Sequence, residues 1–324
     1  MVQTIFPKAD TNMSERLRII FMGTPEFAVA SLKRLIESKS NVIAVITVPD
    51  KPAGRGQKLL SSPVKLYAEE VGVPVLQPEK LKNPEFLDQL KALHADLQVV
   101  VAFRMLPEVV WNMPKYGTFN LHGSLLPQYR GAAPINWAII NGEKETGVTT
   151  FFIEKEIDTG KIIFKEAEPI HEDDDAGTVY GRLMEKGAGL VVKTVEAIED
   201  GQYPQEDQDE PEEIKSAPKI FRETCEINWD QSANNVYNFI RGLSPYPAAW
   251  TMLNGLSCKI FKTEISDENE NGHPGEYRTD GKTYLNFKAS DGWISVKVLQ
   301  LEGKKRMDVG EFLRGAKIIP YTNS

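Results

Sequence analysis

Over the first two hundred residues, short apolar runs alternate with stretches of helical spacing. Leu17–Met22 (LRIIFM) predicts a buried strand, which Gly23-Thr24-Pro25 breaks. Apolar positions at Phe27, Leu32, Leu35 and Ile36 then predict a helix. Val42–Val48 predicts a second strand, Ala95–Ala102 a third and Thr118–Leu121 a fourth. Ser62-Pro63 sets a capping side chain before a proline at the first helical position, so VKLYAEEV should be helical. Asn83-Pro84 opens another helix through His94. A helix is expected at Ala133–Ile140, strands near Val148–Ile153 and Lys161–Ile163, and a helix at about Ala176–Ile198. Alternating elements with continuously apolar strands fit a sheet covered on both faces. The expected fold is α/β: a Rossmann-like, mostly parallel sheet with helices on both faces.

Past Ala217 the pattern changes. Apart from a helix at Asn234–Ile240, the segments are short and β-like (CKIFKTEI, TYLNFKA, WISVKVLQL), with Gly and Asp-Gly turns between them. That spacing predicts a second, smaller domain, an OB-like β-barrel. A barrel of that kind suits nucleic acid, by fold analogy only.

Charge locates the boundary. Of 324 residues, 38 are Lys or Arg and 46 Asp or Glu, a net charge of −8. That balance by itself argues against a polyanionic partner. However, Glu196–Glu213 holds nine acids and no base, and without it the balance is +1. From Gly201 this segment is also rich in Gln, Pro and Gly, and reads as a solvated spacer kept extended by its charge. The expected organisation is a catalytic domain over residues 1–200, an acidic linker over 201–217 and a C-terminal domain over 218–324. Cys225 and Cys258 are too few for a disulfide framework. No apolar run approaches the roughly 18 residues that cross a bilayer, and the N-terminus does not read as a signal peptide. These features predict a reduced, cytoplasmic protein without a membrane partner.

Three sets of residues are candidates for chemistry. Gly23 stands where a dinucleotide fold keeps its glycine fingerprint, but GTPEFA matches G-x-G-x-x-G at Gly23 alone, which disfavours a nicotinamide cofactor. Asn120 and His122 lie two apart at the end of an apolar strand, so both face one side at the edge where open α/β sheets bind ligands. There an amide can donate to an oxyanion while an imidazole moves a proton. Asp158, in IDTGK, is either a turn residue or the carboxylate that orients His122. No Ser or Cys stands in a nucleophile elbow, so direct transfer between two bound substrates is expected. Lys51, Arg55 and Lys58 sit in a Gly/Pro loop (residues 49–62) within reach of an anion, and Lys304-Lys305-Arg306 forms a shorter basic cluster.

These motifs carry a resemblance. RIIFMGTPEFA (18–28), PDKPAGRGQKL (49–59), SPVK (62–65), FNLHGSLLPQYRGAAPI (119–135), ETGVT (145–149) and DTGKI (158–162) stand in the order and spacing of the methionyl-tRNA formyltransferase family. LSPYPAAW (243–250) is similar to its C-terminal pattern, residues 1–15 precede its usual start, and Phe103-Arg104-Met105 departs from the small and aliphatic residues often found there. The resemblance implies formyl transfer from 10-formyltetrahydrofolate, a co-substrate, to the α-amino group of initiator methionyl-tRNA. It implies catalytic roles for Asn120, His122 and Asp158, and folate binding at Ser124, Leu125, Leu126 and Pro127. It places Arg55 in the tRNA acceptor stem, with the C-terminal domain steadying the tRNA. The donor is already activated, so no metal is expected, and the protein is expected to act as a monomer. Two alternatives stand beside this reading: a folate-dependent enzyme for a sugar-nucleotide amine or glycinamide ribonucleotide, and a non-catalytic RNA-binding protein.

Overall fold

The computed structural model describes residues 16–53, 58–209, 211–267, 270–315 and 318. The chain first runs through β1 (Ile19–Gly23), α1 (Glu26–Glu37), β2 (Val42–Ile46), β3 (Lys51–Ala53), β4 (Lys58–Leu60) and α2 (Pro63–Glu70). It continues with β5 (Val75–Leu76), α3 (Pro84–Ala92), β6 (Leu97–Val101), α4 (Glu108–Trp111) and β7 (Thr118–His122). Then come β8 (Arg130–Gly131), α5 (Pro134–Ile140), β9 (Glu145–Phe152), β10 (Ile162–Pro169) and the long α6 (Ala176–Glu199). Beyond them lie β11 (Ser216–Ala217), α7 (Ala233–Leu243), β12 (Ala249–Leu253), β13 (Leu256–Ser266), β14 (Tyr277–Thr279), β15 (Leu285–Lys288), β16 (Trp293–Leu301), β17 (Met307–Asp308) and α8 (Val309–Gly315).

The main sheet has the order β10-β9-β7-β6-β1-β2-β5. From β7 to β5 the pairings are parallel, and β9 joins β7 antiparallel. All five residues of β1 and of β6 are buried, as strands covered on both faces must be. Ser62 Oγ accepts from Lys65 N at 3.1 Å and Asn83 Oδ1 from Glu85 N at 3.0 Å, so both proline-led helices start where their caps place them. Gly23 settles its own role through packing. A Cβ there would lie 2.6 Å from Ala28 Cβ and 3.0 Å from Val101 O, so the turn from β1 into α1 closes too tightly for any side chain.

Two compact units divide the chain and interleave in sequence. The first comprises the chain up to His122, Thr149–Lys165 and Met184–Gln208. Its core includes Ile20, Met22, Ile46, Phe86, Leu90 and Val100. The C-terminal half of α6 belongs here: Thr194 Oγ1 meets Thr150 Oγ1 at 2.9 Å, and Gly187 lies against Leu121.

The second unit comprises Gly123–Val148, Glu166–Leu183 and the chain from Asp209. Its sheet, β12-β13-β16-β15-β14 with β17 on β16, is antiparallel throughout, a curled half-barrel where a small β-barrel is expected. Val236 and Ile240 of α7 pack into it with Ile260, Phe287, Leu299 and Phe312. Residues before and after the acidic segment meet inside this unit. Buried Arg241 of α7 donates from Nη1 to Asp174 O at 2.9 Å and to His171 O at 3.2 Å, and Asn136 Nδ2 donates to Gly242 O at 2.8 Å.

Candidate active site

β7 is the strand that carries the candidate chemistry. In its antiparallel pairing with β9, Asn120 lies opposite Phe151 and His122 opposite Thr149. Leu121, between them, faces Gly187 of α6, so Asn120 and His122 share the other face. His122 is buried, with its ring edge-on to Phe151 at 6.4 Å between centroids, while Asn120 is half-buried. The period-2 spacing alone predicts this shared face.

Asp158 comes from the turn between β9 and β10. Its Oδ2 lies 3.8 Å from His122 Nδ1, and both side chains are largely buried. That separation exceeds a hydrogen bond but sets the carboxylate directly beside the imidazole. Asp158 adopts φ of 55°, a left-handed conformation that aspartate tolerates better than most side chains. Two residues on, a Cβ at Gly160 would fall 1.7 Å from Phe152 O. Glycine is therefore obligatory for the turn to lie against the end of β9 and deliver Asp158 to His122. The three candidate residues lie in one unit, and Asp158, remote in sequence, is brought beside His122.

The segment Ser124–Pro127 follows His122 directly in the chain but belongs to the second unit. Ser124, Leu126 and Pro127 are buried, and Ser124 Oγ is engaged with Gln128 O at 2.6 Å. Leu125 is half-buried. In the loop after β6, Arg104 donates from Nη1 to Glu79 O at 2.8 Å and from Nη2 to Pro78 O, while Met105 is 74% exposed. Burial lowers the pKa of the Arg104 guanidinium.

The basic candidates are divided. Residues 51–53 and 58–60 pair as antiparallel strands, with Lys51 opposite Leu60 and Ala53 opposite Lys58, where the sequence suggests a loop. Asp50 roots β3 by accepting from Lys65 Nζ at 2.6 Å and Gln77 Nε2 at 2.8 Å. The Lys65 hydrogen bond, then that of Gln77, holds the Asp50 carboxyl below the usual carboxylate range. Lys51 is exposed, as are Leu59 and Leu60. Lys58 lies on β4, and Arg55 lies outside the described residues. Lys304, Lys305 and Arg306 are exposed near β17, with Lys305 3.4 Å from Glu311 and Arg306 over the Phe261 ring. The second unit also holds a cavity of about 610 Å³, lined in part by Lys219, Arg222, Lys259, Tyr246 and Trp250. Tyr246 is 82% exposed. Sequence reasoning missed this cluster because its three bases are scattered singly over forty residues. The aromatic spacing of LSPYPAAW was its one local sign.

Comparisons with known proteins agree on the family. A family model described as formyl transferase matches residues 16–195, and one for the formyl transferase C-terminal domain matches residues 219–317. A methionyl-tRNA formyltransferase of Parabacteroides distasonis is 56% identical over 319 residues, covering 95% of this chain and 98% of that protein. The Flavobacterium johnsoniae protein of the same name is 51% identical over 305 residues, 93% and 96% of the two chains. Among solved structures, an N-formyltransferase from Helicobacter canadensis with folinic acid and dTDP-3-aminofucose superposes with a TM-score of 0.66 at 22% identity. That match covers 90% of this chain and all of that one. HypX from Aquifex aeolicus with tetrahydrofolic acid gives a TM-score of 0.63 at 20% identity, over 94% of this chain and 49% of that one. These two likenesses concern the fold alone. Two family models that between them span most of the sequence, and relatives above 50% identity along nearly its whole length, make this chain a member of the formyl transferase family.

Proposed function

We propose that this protein formylates the α-amino group of initiator methionyl-tRNA, with 10-formyltetrahydrofolate as donor. One observation carries the chemistry: a strand-borne amide and imidazole, Asn120 and His122, with the Asp158 carboxylate 3.8 Å from the imidazole. The relatives above 50% identity carry the choice of acceptor. An ordinary α-amino group has a pKa near ~8, so a useful fraction is nucleophilic at neutral pH. Asn120 Nδ2 donates to the formyl oxygen as negative charge develops there. His122 accepts the proton that the amine sheds on attack and passes it toward the departing nitrogen of the donor. Asp158 holds the imidazole in the orientation this requires.

The donor brings an activated formyl group, so the protein's work is positioning and charge stabilisation. In Ser124–Pro127 three of the four residues are buried. Half-buried Leu125, packed beside Gly147, and the segment's backbone are the groups we assign to the folate ring. As functional regions of a cytoplasmic monomer we assign catalysis to residues 1–200, the acidic linker to 201–217 and tRNA binding to 218–324, although the compact units interleave across these bounds. No helix among the described residues is long and apolar enough to cross a membrane. Lys51 and Lys58 on the paired strands, Arg55 between them in sequence, and Lys304–Arg306 bind tRNA phosphates. Lys219, Arg222 and Lys259 are further phosphate-binding residues, with Tyr246 offering a face for base stacking.

The test supplies labelled formyl donor to the purified protein with four acceptors: initiator methionyl-tRNA, elongator methionyl-tRNA, a dTDP-amino sugar and glycinamide ribonucleotide. Label should reach the initiator species alone. Label on the sugar or the ribonucleotide would assign a different acceptor, and no transfer at all would remove the catalytic reading.

A further inference from the structure

The acidic segment holds a feature that its composition hides. Between the regions matched by the two family models, the chain returns to the turn that carries Asp158. Glu206 exchanges both backbone hydrogen bonds with Ile162, at 2.8 and 3.0 Å. Lys161 Nζ lies 3.6 Å from Asp207 Oδ1, an exposed pair that contributes little. Gln208 then reaches across, and its Nε2 donates to Asp158 O at 2.8 Å and to Gly160 O at 2.9 Å.

We propose that Gln208 is a positioning residue for catalysis: its carboxamide clamps the carbonyls of Asp158 and Gly160, and so fixes where the Asp158 carboxylate meets His122. Three observations converge. The turn is held from one side by the close approach of Gly160 to Phe152 O. It is held from the other by the two Gln208 hydrogen bonds. Asp158, between them, stands in a left-handed conformation that needs support from its surroundings. A primary amide has two N–H donors, and here one nitrogen serves both carbonyls. Serine or lysine in its place would not reproduce that planar pair. The isolated β-bridge at Glu206 brings Gln208 to the turn at the correct height. The linker thereby acts as a strut for the catalytic carboxylate as well as a spacer. This inference rests on the catalytic role proposed for Asp158.

The test measures kcat and both KM values for Gln208→Met, which keeps length and loses the donors, for Asp158→Asn and for the double variant. Gln208→Met should lower kcat roughly tenfold, the scale expected when a catalytic group is misplaced by a fraction of an ångström. Both KM values should stay unchanged, and in the Asp158→Asn background the substitution should cost nothing further. Gln208→Glu has the same length, cannot donate and sets a charge against the two carbonyls, so it should lower kcat at least as far as Gln208→Met. A normal kcat in Gln208→Met or Gln208→Glu, alongside an impaired Asp158→Asn, would overturn the clamp and leave the catalytic reading intact. So would an equal loss in the Asp158→Asn background, or a change confined to KM. Normal turnover in Asp158→Asn would overturn the catalytic reading, and the clamp with it.

Discussion

Asp174→Asn should destabilise the second unit in a pH-dependent way. The Asp174 carboxylate receives Arg182 Nη1 on Oδ1 at 2.8 Å and Nη2 on Oδ2 at 2.6 Å, a bidentate pair. Thr178 Oγ1 and His171 N complete the shell at 3.0 and 2.7 Å. The side chain is only 7% exposed. The Arg182 hydrogen bonds, outweighing the cost of burial, pull the carboxyl from an ordinary 3.8 down to about 2. That difference corresponds to about 2 kcal/mol of folding free energy at neutral pH. The folded pKa lies below the unfolded one, so this contribution is complete above about pH 4 and is lost as pH falls toward 2. Urea unfolding of the wild type and of Asp174→Asn at pH 7 should therefore differ by about 2 kcal/mol, and at pH 3 by about half as much. An unchanged gap at pH 3, or none at pH 7, would refute the assignment of this stability to the ionised carboxylate.

Three other expectations concern function and reactivity. Asn120→Ala and His122→Ala should each lower turnover by about 10²–10³ with tRNA affinity nearly unchanged, measured by formylation kinetics beside filter binding; near-normal turnover in either removes its catalytic role. Lys259→Ala should weaken methionyl-tRNA binding and reduce the salt dependence of affinity by about one phosphate contact, read from binding isotherms at several salt concentrations; an unchanged slope removes the cavity from the tRNA surface. Cys258 is buried, and burial pushes its thiol up to about 12. It should therefore resist iodoacetamide at pH 8 in the native protein and react once urea unfolds the chain; rapid native labelling would contradict the packing around β13.

What the sequence reveals here depends on distance along the chain. β1 and β6 are legible because largely apolar, β-branched runs have few other uses, and the starts of α2 and α3 because Ser62-Pro63 and Asn83-Pro84 act within one helical turn. Asn120 and His122 are legible as a pair because strand geometry fixes the side of residues two apart. The contact of Asp158 with His122 is not, since it needs the fold to return β9 beside β7. The same reason hides the parallel pairing of β11 with β8, where Ser216 lies opposite Arg130. It also hides the interleaving of the two units. The pairing of β3 and β4 is masked by a Gly/Pro composition that usually marks a loop. The short α8 is too brief for helical spacing to show. The acidic segment misleads most, because composition describes its average while Glu206 and Gln208 make specific contacts.

The two sources of the candidate site divide its work. Asn120 and His122 are set on a strand paired along both edges, β6 on one side and β9 on the other. Their positions follow from the sheet register and are costly to change. Asp158 is set on a turn, 3.8 Å from the imidazole, close enough that a displacement below 1 Å makes a hydrogen bond. Catalytic contacts of this kind often tighten only when substrates arrive. In the proposed mechanism the oxyanion donor and proton carrier are already in place, while the orienting carboxylate keeps a short side-chain step toward the imidazole. Substitutions in β7 then act on whether the chemistry occurs at all. On the same proposal, those at Gln208 and Asp158 act on how well the imidazole is held, and their effects should appear in kcat while the binding of both substrates is spared.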